Sequence, residues 1–455
     1  MWNRSVVLWV TTILALAGGG AVPLAASAVG PTVTGVVGGS CRGVAGTIFG
    51  TNASETIDGT SGDDVIVAGS GHDIVHARGG NDRVCGNRGG DQLFGEDGDD
   101  RIFGQRGGRD ERPGGTAFYR GNLLDGGTGN DVLSGGPERD KGADFPGGEI
   151  PDRVSFGSAT GGVTVQNGHA SGPGVGADTL RQDFEQINGT GFDDTLRAFA
   201  RETLLGFGGD DVLVAHDTGA RSVVLGGNGN DRIDLSAAAQ GRATGGSGKD
   251  QIIGSPRADL LFSGSGSDDV SAGRGPDQAF GLSLGDLVKL GPGSDFIEVS
   301  GSTRGGRIRA GLGVDTLRIV TKGPQSEIGI RTMKRVVRTA SGRFSILDLN
   351  RYVVAGGVAG AGAFRFFGGP TPQAVLTLSG TFTHLEVHTG GGADTVSLTA
   401  STQSVGALVT GGDGNDKITG TRRGDALRGN DGRDRTDGRR GRDLCRAETR
   451  LNCER

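Results

Sequence analysis

Residues 59–103 read GTSGDDVIV AGSGHDIVH ARGGNDRVC GNRGGDQLF GEDGDDRIF, which is five successive segments of nine residues. Each segment tends to place Gly fourth, Asp sixth and an aliphatic residue eighth. A weaker copy, GTNASETID, precedes them at residues 50–58. A fixed period of this kind is typical of architectures in which one small unit stacks on the next. The period therefore predicts a stacked repeat fold and not a single thick core.

The same rule returns further along the chain, in two more unbroken runs and in scattered single copies. The second run is GGSGKDQII GSPRADLLF SGSGSDDVS AGRGPDQAF GLSLGDLVK LGPGSDFIE, and the third is GGDGNDKIT GTRRGDALR GNDGRDRTD GRRGRDLCR. These runs and the single copies occupy residues 245–298, 411–446, 126–134, 206–214, 226–234 and 310–318.

Each segment combines a Gly-rich turn with a short apolar stretch. Position eight offers one aliphatic side chain for burial, as Ile66, Val75 and Val84 do in the first run. The side chains at positions seven and nine vary freely, so we expect them to face outward, because successive side chains of a strand point to opposite faces. Gly supplies the positive φ that the turn needs, and the turn carbonyls can then point inward. Asp is an oxygen donor of the kind that calcium prefers.

The segments resemble the haemolysin-type, or RTX, calcium-binding repeat, G-G-x-G-x-D-x-(aliphatic)-x. The resemblance implies a parallel β-roll in which six residues form a turn, three form a strand, and two segments make one coil. We therefore predict an all-β protein, a parallel β-roll or β-solenoid with irregular β spacers. Since alternate turns would lie on the same side, Asp64 should share an ion with Asp82, and Asp73 with Asp91.

The predicted cofactor is Ca²⁺, and its ligands are the Asp residues at or near position six of each copy. They are Asp64, Asp73, Asp82, Asp91, Asp100, Asp131, Asp211, Asp231, Asp250, Asp259, Asp268, Asp277, Asp286, Asp295, Asp315, Asp394, Asp416, Asp425, Asp434 and Asp443. One buried aliphatic residue in nine does little to offset the entropy of ordering the backbone. We expect calcium, bound only by the folded chain, to drive folding. A solenoid that folds without metal is the alternative.

Composition excludes several classes of protein. Gly accounts for 92 of the 455 residues and aromatic residues for only 5%, which argues against a large α/β enzyme. The formal net charge is −6, and nucleic-acid binding would favour a basic face. We expect no nucleic-acid partner.

The N-terminus has the order of a secretory signal. Arg4 is the only charge in the first forty residues, residues 6–17 are apolar, and Ala26-Ser27-Ala28 is a small-residue cleavage site. An uncleaved membrane anchor is the competing interpretation, but the apolar run is shorter than the roughly 20 residues needed to span a bilayer. We predict a secreted, extracellular protein with no transmembrane segment.

Export suits the four cysteines, because disulfides persist outside the cell. We predict nearest-neighbour pairing, Cys41 with Cys85 and Cys445 with Cys453, and we expect the second bridge to hold the tail over the end of the last coil. A zinc site is the alternative, although the chain lacks a C-x-x-C pair.

The period divides the chain into parts. The predicted boundaries are 1–28 signal peptide, 29–49 N-terminal cap, 50–112 first repeat block, 113–150 short degenerate repeats, 151–204 β spacer, 205–318 second repeat block, 319–410 degenerate solenoid or inserted β domain, 411–446 third repeat block, and 447–455 C-terminal cap. In the spacer, Asp178 and Asp194 occupy ligand-like positions, but Phe192 replaces the fourth-place Gly. Between 299 and 410 we favour a continued solenoid over a small β-sandwich, since residues 389–397 restore the period.

Three fragments look functional but have simpler explanations. Residues 281–285, GLSLG, match a nucleophile elbow, yet they fill a repeat turn. Residues 384–388, HLEVH, lack the helical H-E-x-x-H order of a zinc protease and suit a strand. Residues 423–425 spell RGD, an adhesion tripeptide, at repeat positions four to six, where Asp425 is more simply a calcium ligand.

The sequence thus predicts a secreted, non-catalytic calcium-binding β-roll protein. One alternative is an extracellular hydrolase whose catalytic domain lies within 299–410. The other is a surface adhesin or matrix protein with a cell-surface or matrix partner.

Overall fold

Two long parallel β-sheets, formed by alternate repeats, make up the fold in this computed structural model. The described residues contain no helix, so none of them forms a helix that could cross a membrane. The structure describes residues 39–106, 108–111, 117–136, 151–198, 202–216, 221–282, 285–300, 306–312, 315–320, 328–331, 336–339, 342–347, 351–355, 361–367, 375–380, 382–401 and 406–453. The predicted signal peptide of residues 1–28 lies outside them.

The strand register gives the size of the coil. Ile66 pairs with Val84 in one sheet, and Val75 pairs with Leu93 in the other. Both pairs are 18 residues apart, so two nonapeptides make one coil and alternate turns stack on the same side. The predicted parallel β-roll is confirmed.

The first sheet contains strands Ile48–Phe49, Val65–Ser70, Arg83–Arg88, Arg101–Arg106, Val132–Ser134, Thr164–Gln166, His169–Gly172, Gly176–Leu180, Thr195–Arg197, Val212–Val214, Arg232–Asp234, Gln251–Ile253, Asp269–Ser271, Leu287–Pro292, Gly306–Leu312, Ile328–Arg331, Val336–Thr339, Gly342–Leu347, Ala361–Phe367, Phe382–Gly391, Ala407–Asp413, Ala426–Asp431 and Leu444–Arg446.

The second sheet contains strands Thr56–Asp58, Ile74–His76, Gln92–Phe94, Leu123–Asp125, Arg153–Ser155, Gln186–Asn188, Thr203–Gly208, Arg221–Asn228, Gln240–Ser247, Leu260–Ser265, Gln278–Leu282, Phe296–Ser300, Thr316–Val320, Arg351–Ala355, Val375–Gly380, Thr395–Ser401, Lys417–Thr419, Arg435–Asp437 and Thr449–Leu451. Two separate hairpins pair Ser40–Cys41 with Val44–Ala45 and Gly108–Glu111 with Ala117–Arg120.

The core lies between the two sheets and is built from the position-eight side chains. Ile66, Val84 and Ile102 from the first sheet and Val75 and Leu93 from the second are fully buried. Burying an aliphatic side chain of this size contributes about 1.5–3 kcal/mol. These side chains belong to one buried cluster, which holds the two sheets together.

The spacer departs locally from the parallel pattern. Its strands Thr164–Gln166, His169–Gly172 and Gly176–Leu180 form an antiparallel meander within the first sheet. The meander is joined to the rest of the sheet by parallel pairing on both sides: Val132 of the preceding strand pairs with Thr179, and Thr164 pairs with Thr195 of the following strand.

The strands described between 306 and 401 pair in the same two sheets. Gly306–Leu312 is parallel to Leu287–Pro292 before it, and Phe382–Gly391 is parallel to Ala407–Asp413 after it. The strand Val336–Thr339 is antiparallel to its neighbour Gly342–Leu347.

A small second core lies outside the roll at its N-terminal end. Val67, Cys85 and Phe103, all at position nine of their repeats, are no more than 7% exposed. Our expectation that position nine faces solvent is therefore wrong for this stretch, because the hairpin beginning at Ser40 covers the sheet. The Cys41–Cys85 disulfide holds that hairpin, and the Arg42 guanidinium lies 4.9 Å from the Phe103 ring centre.

The C-terminal end is held by the second disulfide. Cys445 takes the position-eight place in its strand, is 2% exposed, and is bonded to Cys453. Both predicted cysteine pairings are thus present. The tail does more than fold over the last coil, because Thr449–Leu451 adds a further parallel strand beside Arg435–Asp437.

Candidate metal sites

The position-six Asp residues form two columns, one along each sheet. Each Asp immediately precedes a strand, and strands of one sheet recur every second repeat, so the Asp residues of alternate repeats stack. All twenty predicted ligands are no more than 7% exposed. The first-sheet column contains Asp64, Asp82, Asp100, Asp131, Asp211, Asp231, Asp250, Asp268, Asp286, Asp425 and Asp443. The second-sheet column contains Asp73, Asp91, Asp259, Asp277, Asp295, Asp315, Asp394, Asp416 and Asp434.

One carboxylate oxygen of most column Asp residues continues a ladder of hydrogen bonds from backbone N–H groups. The backbone N–H of Asp64 donates to Asp82 Oδ1 at 2.7 Å, and that of Asp82 donates to Asp100 Oδ1 at 2.7 Å. In the other column, the N–H of Asp73 donates to Asp91 Oδ1 at 3.0 Å. The ladder fixes the orientation of each carboxylate and leaves its second oxygen for another partner.

That second oxygen is buried and, within the described part of the chain, accepts no hydrogen bond in most repeats. Burying a charge without a partner is costly, so these oxygens indicate a cation or a proton as their partner. The residues concerned are Asp73, Asp82, Asp91, Asp100, Asp131, Asp178, Asp211, Asp231, Asp250, Asp268, Asp277, Asp295, Asp416 and Asp434.

The first glycine of a turn leaves space beside this oxygen. A Cβ atom added to Gly86 would lie 2.4 Å from Asp91 Oδ2 and 2.9 Å from the carbonyl oxygen of Gly104 in the next coil. At Gly226 the corresponding distances are 2.1 Å to Asp231 Oδ2 and 2.6 Å to the carbonyl oxygen of Gly245. Carboxylate and backbone carbonyl oxygens thus converge on a space that a side chain would fill, and such oxygens are calcium ligands.

The glycine at position four is required by its backbone conformation and by the closeness of the neighbouring coil. Gly89 has φ of 144°, and a Cβ atom there would lie 1.4 Å from the carbonyl oxygen of Gly71 in the coil before. Only glycine allows the turns to stack this closely.

The donor set differs from a site built only from side chains. Among the described residues, no three His, Cys, Asp or Glu side chains are grouped as metal ligands. Any cation in a column therefore needs backbone carbonyls in addition to carboxylates. Calcium accepts such mixed oxygen sets, and the residues present fit it.

Electrostatics favour the uptake of positive charge. Burial, reinforced by the neighbouring carboxylates of Asp131 and Asp82, raises the pKa of Asp100 to about 8. Burial likewise raises the pKa of Asp91 to about 7. These two carboxylates therefore hold protons above the usual carboxylate range, and a divalent cation would compete for the same oxygens.

Sequence reasoning missed members of the second-sheet column. The N–H of Asp91 donates to Asn122 Oδ1 at 3.0 Å, the N–H of Asn122 to Asp152 Oδ1 at 2.6 Å, and the N–H of Asp152 to Glu185 Oε2 at 2.7 Å. At the C-terminal end, Glu448 Oε2 accepts the N–H of Asp434 at 2.7 Å. Their only sequence signal is a polar residue directly before a short apolar stretch, since insertions and Glu or Asn hide the period.

A second, exposed ladder runs through position five. The N–H of Asn81 donates to Asp63 Oδ1, that of Asp99 to Asn81 Oδ1, and that of Asn130 to Asp99 Oδ1, each at 2.8 Å. The frequent Asp and Asn at position five were its signal, which the repeat rule did not use.

The three fragments that looked functional have different surroundings. Ser283, in the GLSLG segment, lies outside the described residues. In the HLEVH segment, His388 Nε2 lies 3.1 Å from Glu386 Oε1, whereas the side chain of His384 lies outside the described part. In the RGD tripeptide, Asp425 is 3% exposed, so its carboxylate faces the column and not solvent.

Comparison with known families agrees with this geometry. The family model of the RTX calcium-binding nonapeptide repeat matches residues 49–84, 85–108, 117–141, 244–279 and 410–445. The chain carries RTX calcium-binding repeats. The matched RTX segments cover roughly a third of the chain and fall in the blocks where the Asp columns are most regular. No curated protein matches the chain at a significant level.

Proposed function

We propose that the chain is a secreted, non-catalytic calcium-binding protein whose RTX repeats bind ions between the turns of successive coils. The observation that carries the proposal is the pair of columns of buried carboxylates, most of which have one oxygen in the ladder and the other beside a glycine-lined space. The ligands would be the column Asp residues whose second oxygen accepts no hydrogen bond among the described residues, together with position-one carbonyl oxygens such as that of Gly104.

Calcium would supply the free energy that drives folding. A column of buried carboxylates opposes folding, because each desolvated charge is repelled by the Asp above and below it. An ion that binds only the folded chain stabilises it by about 1.4 kcal/mol per site when its concentration is ten times the dissociation constant. Several sites acting together would turn a marginal solenoid into a stable one.

Secretion would suit a protein whose folding depends on calcium. Extracellular calcium sites often have dissociation constants of about 10⁻⁴–10⁻³ M, so the chain would stay unfolded in a calcium-poor cytosol and fold after export. The signal-like order of residues 1–28 supports this route, and so do the two disulfides, which are typical of oxidising compartments.

The test is a direct count of bound ions. The mature protein is depleted of calcium, then titrated with CaCl₂ by isothermal calorimetry, with MgCl₂ as the control. We expect several calcium ions per chain and much weaker magnesium binding, since Mg²⁺ demands a tight octahedral shell. Absence of calcium binding at 10 mM would overturn the proposal.

A further inference from the structure

In four turns of the described part of the chain, the backbone N–H and the hydroxyl of a Ser or Thr at position two both donate hydrogen bonds to the carboxylate of the position-six Asp. We call these closed turns. The N–H of Thr421 donates to Asp425 Oδ2 at 2.6 Å, and its hydroxyl donates to Asp425 Oδ1 at 2.8 Å. Thr190 makes the same pair of bonds to Asp194, at 2.6 and 2.9 Å. Ser255 does so to Asp259, at 2.5 and 2.8 Å. Thr60 donates both bonds to Asp64 Oδ2, at 2.7 and 2.8 Å.

The turns that lack this pair of bonds are called open turns. In the turn that ends at Asp434, position two is Asn430 with φ of 78°, and Asp434 Oδ2 is buried without a hydrogen-bond partner among the described residues. The amide and hydroxyl of a closed turn thus occupy oxygens that an open turn keeps for a cation.

The backbone of the closed turns also differs. Positive φ occurs at position four of most open turns, as at Gly432 with φ of 140°, but it does not occur at Phe192, Arg257 or Arg423. A closed turn therefore does not need the fourth-place glycine. This explains why these three irregular copies tolerate a large side chain at position four.

Each closed turn follows a coil that has no acidic residue in the corresponding ladder position. In each case the residue one coil earlier, at the same height in the ladder, is not acidic: Val163 and Ala407 donate their N–H groups to Asp194 and Asp425, at 2.7 and 2.8 Å. Gly241 stands in this place before Asp259, at 2.6 Å, and Thr47 stands before Asp64. A cation at such a turn would face one carboxylate where later turns offer two.

We propose that the Ser or Thr of these four turns replaces a calcium ion, so that each closed turn is a metal-independent start for the calcium-binding turns that follow it. The inference rests on the proposed calcium-binding function. It assigns Asp64, Asp194, Asp259 and Asp425 to hydrogen-bonded turns, and it places the ions at the open turns of each column.

The experiment compares two matched Asp→Asn variants in the full mature chain. D425N alters a closed turn and D434N alters an open turn of the same block. Bound calcium is counted by calorimetry and by elemental analysis after dialysis. We expect D425N to keep the wild-type number of ions and D434N to lose at least one. The pair D259N and D277N repeats the comparison in the second block.

A second readout does not depend on calcium. Hydrogen exchange of residues 420–428 is measured in calcium-depleted protein for wild type, T421V and T421S. We expect T421V to lose protection at least tenfold and T421S to retain it, because Ser keeps the hydroxyl. Equal ion loss in D425N and D434N, or no effect of T421V, would overturn the inference. Wild-type protein that binds no calcium would instead overturn the proposed function and leave the T421V comparison intact.

Discussion

The backbone N–H of Asp64 donates to Oδ1 of Asp82, which lies 18 residues later in the chain, at 2.7 Å. This bond connects the 18-residue coil to the proposed metal sites, because the Asp directly before one strand orients the carboxylate of the Asp in the next coil. It leaves Asp82 Oδ2 buried and unbonded among the described residues. The same carboxylate can thus serve the ladder and a cation at once.

Removing the charge of a column Asp should remove calcium without breaking the ladder. Asn at position 82 keeps an oxygen for the Asp64 N–H but cannot balance a divalent cation. We expect D82N to lose an ion or to weaken calcium binding by about tenfold or more, equivalent to about 1.4 kcal/mol. The exposed Asp97 provides the control, and calorimetry of D97N should match wild type. Equal affinity in the two variants would contradict the column.

Glycine at position four should matter only in open turns. G89A places a Cβ atom against the carbonyl oxygen of Gly71 at a φ of 144°, and such backbone strain costs about 1–3 kcal/mol before the clash is counted. At Gly62, in a closed turn, an added Cβ atom would meet no other heavy atom within 4 Å. Urea unfolding in saturating calcium should therefore show G89A destabilised and G62A within about 0.5 kcal/mol of wild type. Similar losses in both would argue against two turn types.

Acid should partly replace calcium. Burial raises the pKa of Asp100 to about 8 and that of Asp91 to about 7, from an ordinary 3.8. Between pH 3.8 and about 8 the folded chain binds more protons at these two residues than the unfolded chain does. The free energy of unfolding is therefore greatest at low pH and falls as pH rises through 7 to 8. Calcium-depleted protein should gain β-sheet circular dichroism when acidified from pH 8 to 5. Calcium affinity should fall over the same change, because protons then occupy the ligand oxygens. A loss of β structure on acidification would contradict these pKa shifts.

The C-terminal disulfide should stabilise the last coil. Cys445 lies in the core and Cys453 packs against it, and a bridge that closes a short loop contributes about 2–3 kcal/mol. C453S should lower the free energy of unfolding by about that amount and speed hydrogen exchange in residues 444–451. Non-reduced peptide mapping should link Cys445 to Cys453. Linkage of Cys445 to Cys41 or Cys85 would refute this cap.

The repeat rule predicted the regular part of the fold because each of its positions has one local structural role. An aliphatic residue at position eight fills the interior, and Asp at position six must precede the strand, so Val84 and Asp82 could be placed from sequence alone. The two-residue offset between them also fixed which face each side chain takes.

The rest depended on contacts that the period does not contain. Asn122 and Glu185 join a column across insertions, so their ladder partners are neither 9 nor 18 residues away. The covered outer face at Val67 depends on a hairpin from outside the repeats. The closed turns did leave a signal, Ser or Thr at position two, which three of the four combine with a residue other than Gly at position four. Its meaning became visible only when Thr421 was seen to donate to Asp425.

The most direct test of the account is far-ultraviolet circular dichroism of the mature protein during a calcium titration at pH 7.5. Starting from calcium-depleted protein, we expect little regular structure at first and a cooperative rise to a β-sheet spectrum by millimolar calcium, with magnesium unable to substitute. A β-rich spectrum that is the same with and without calcium would contradict calcium-driven folding.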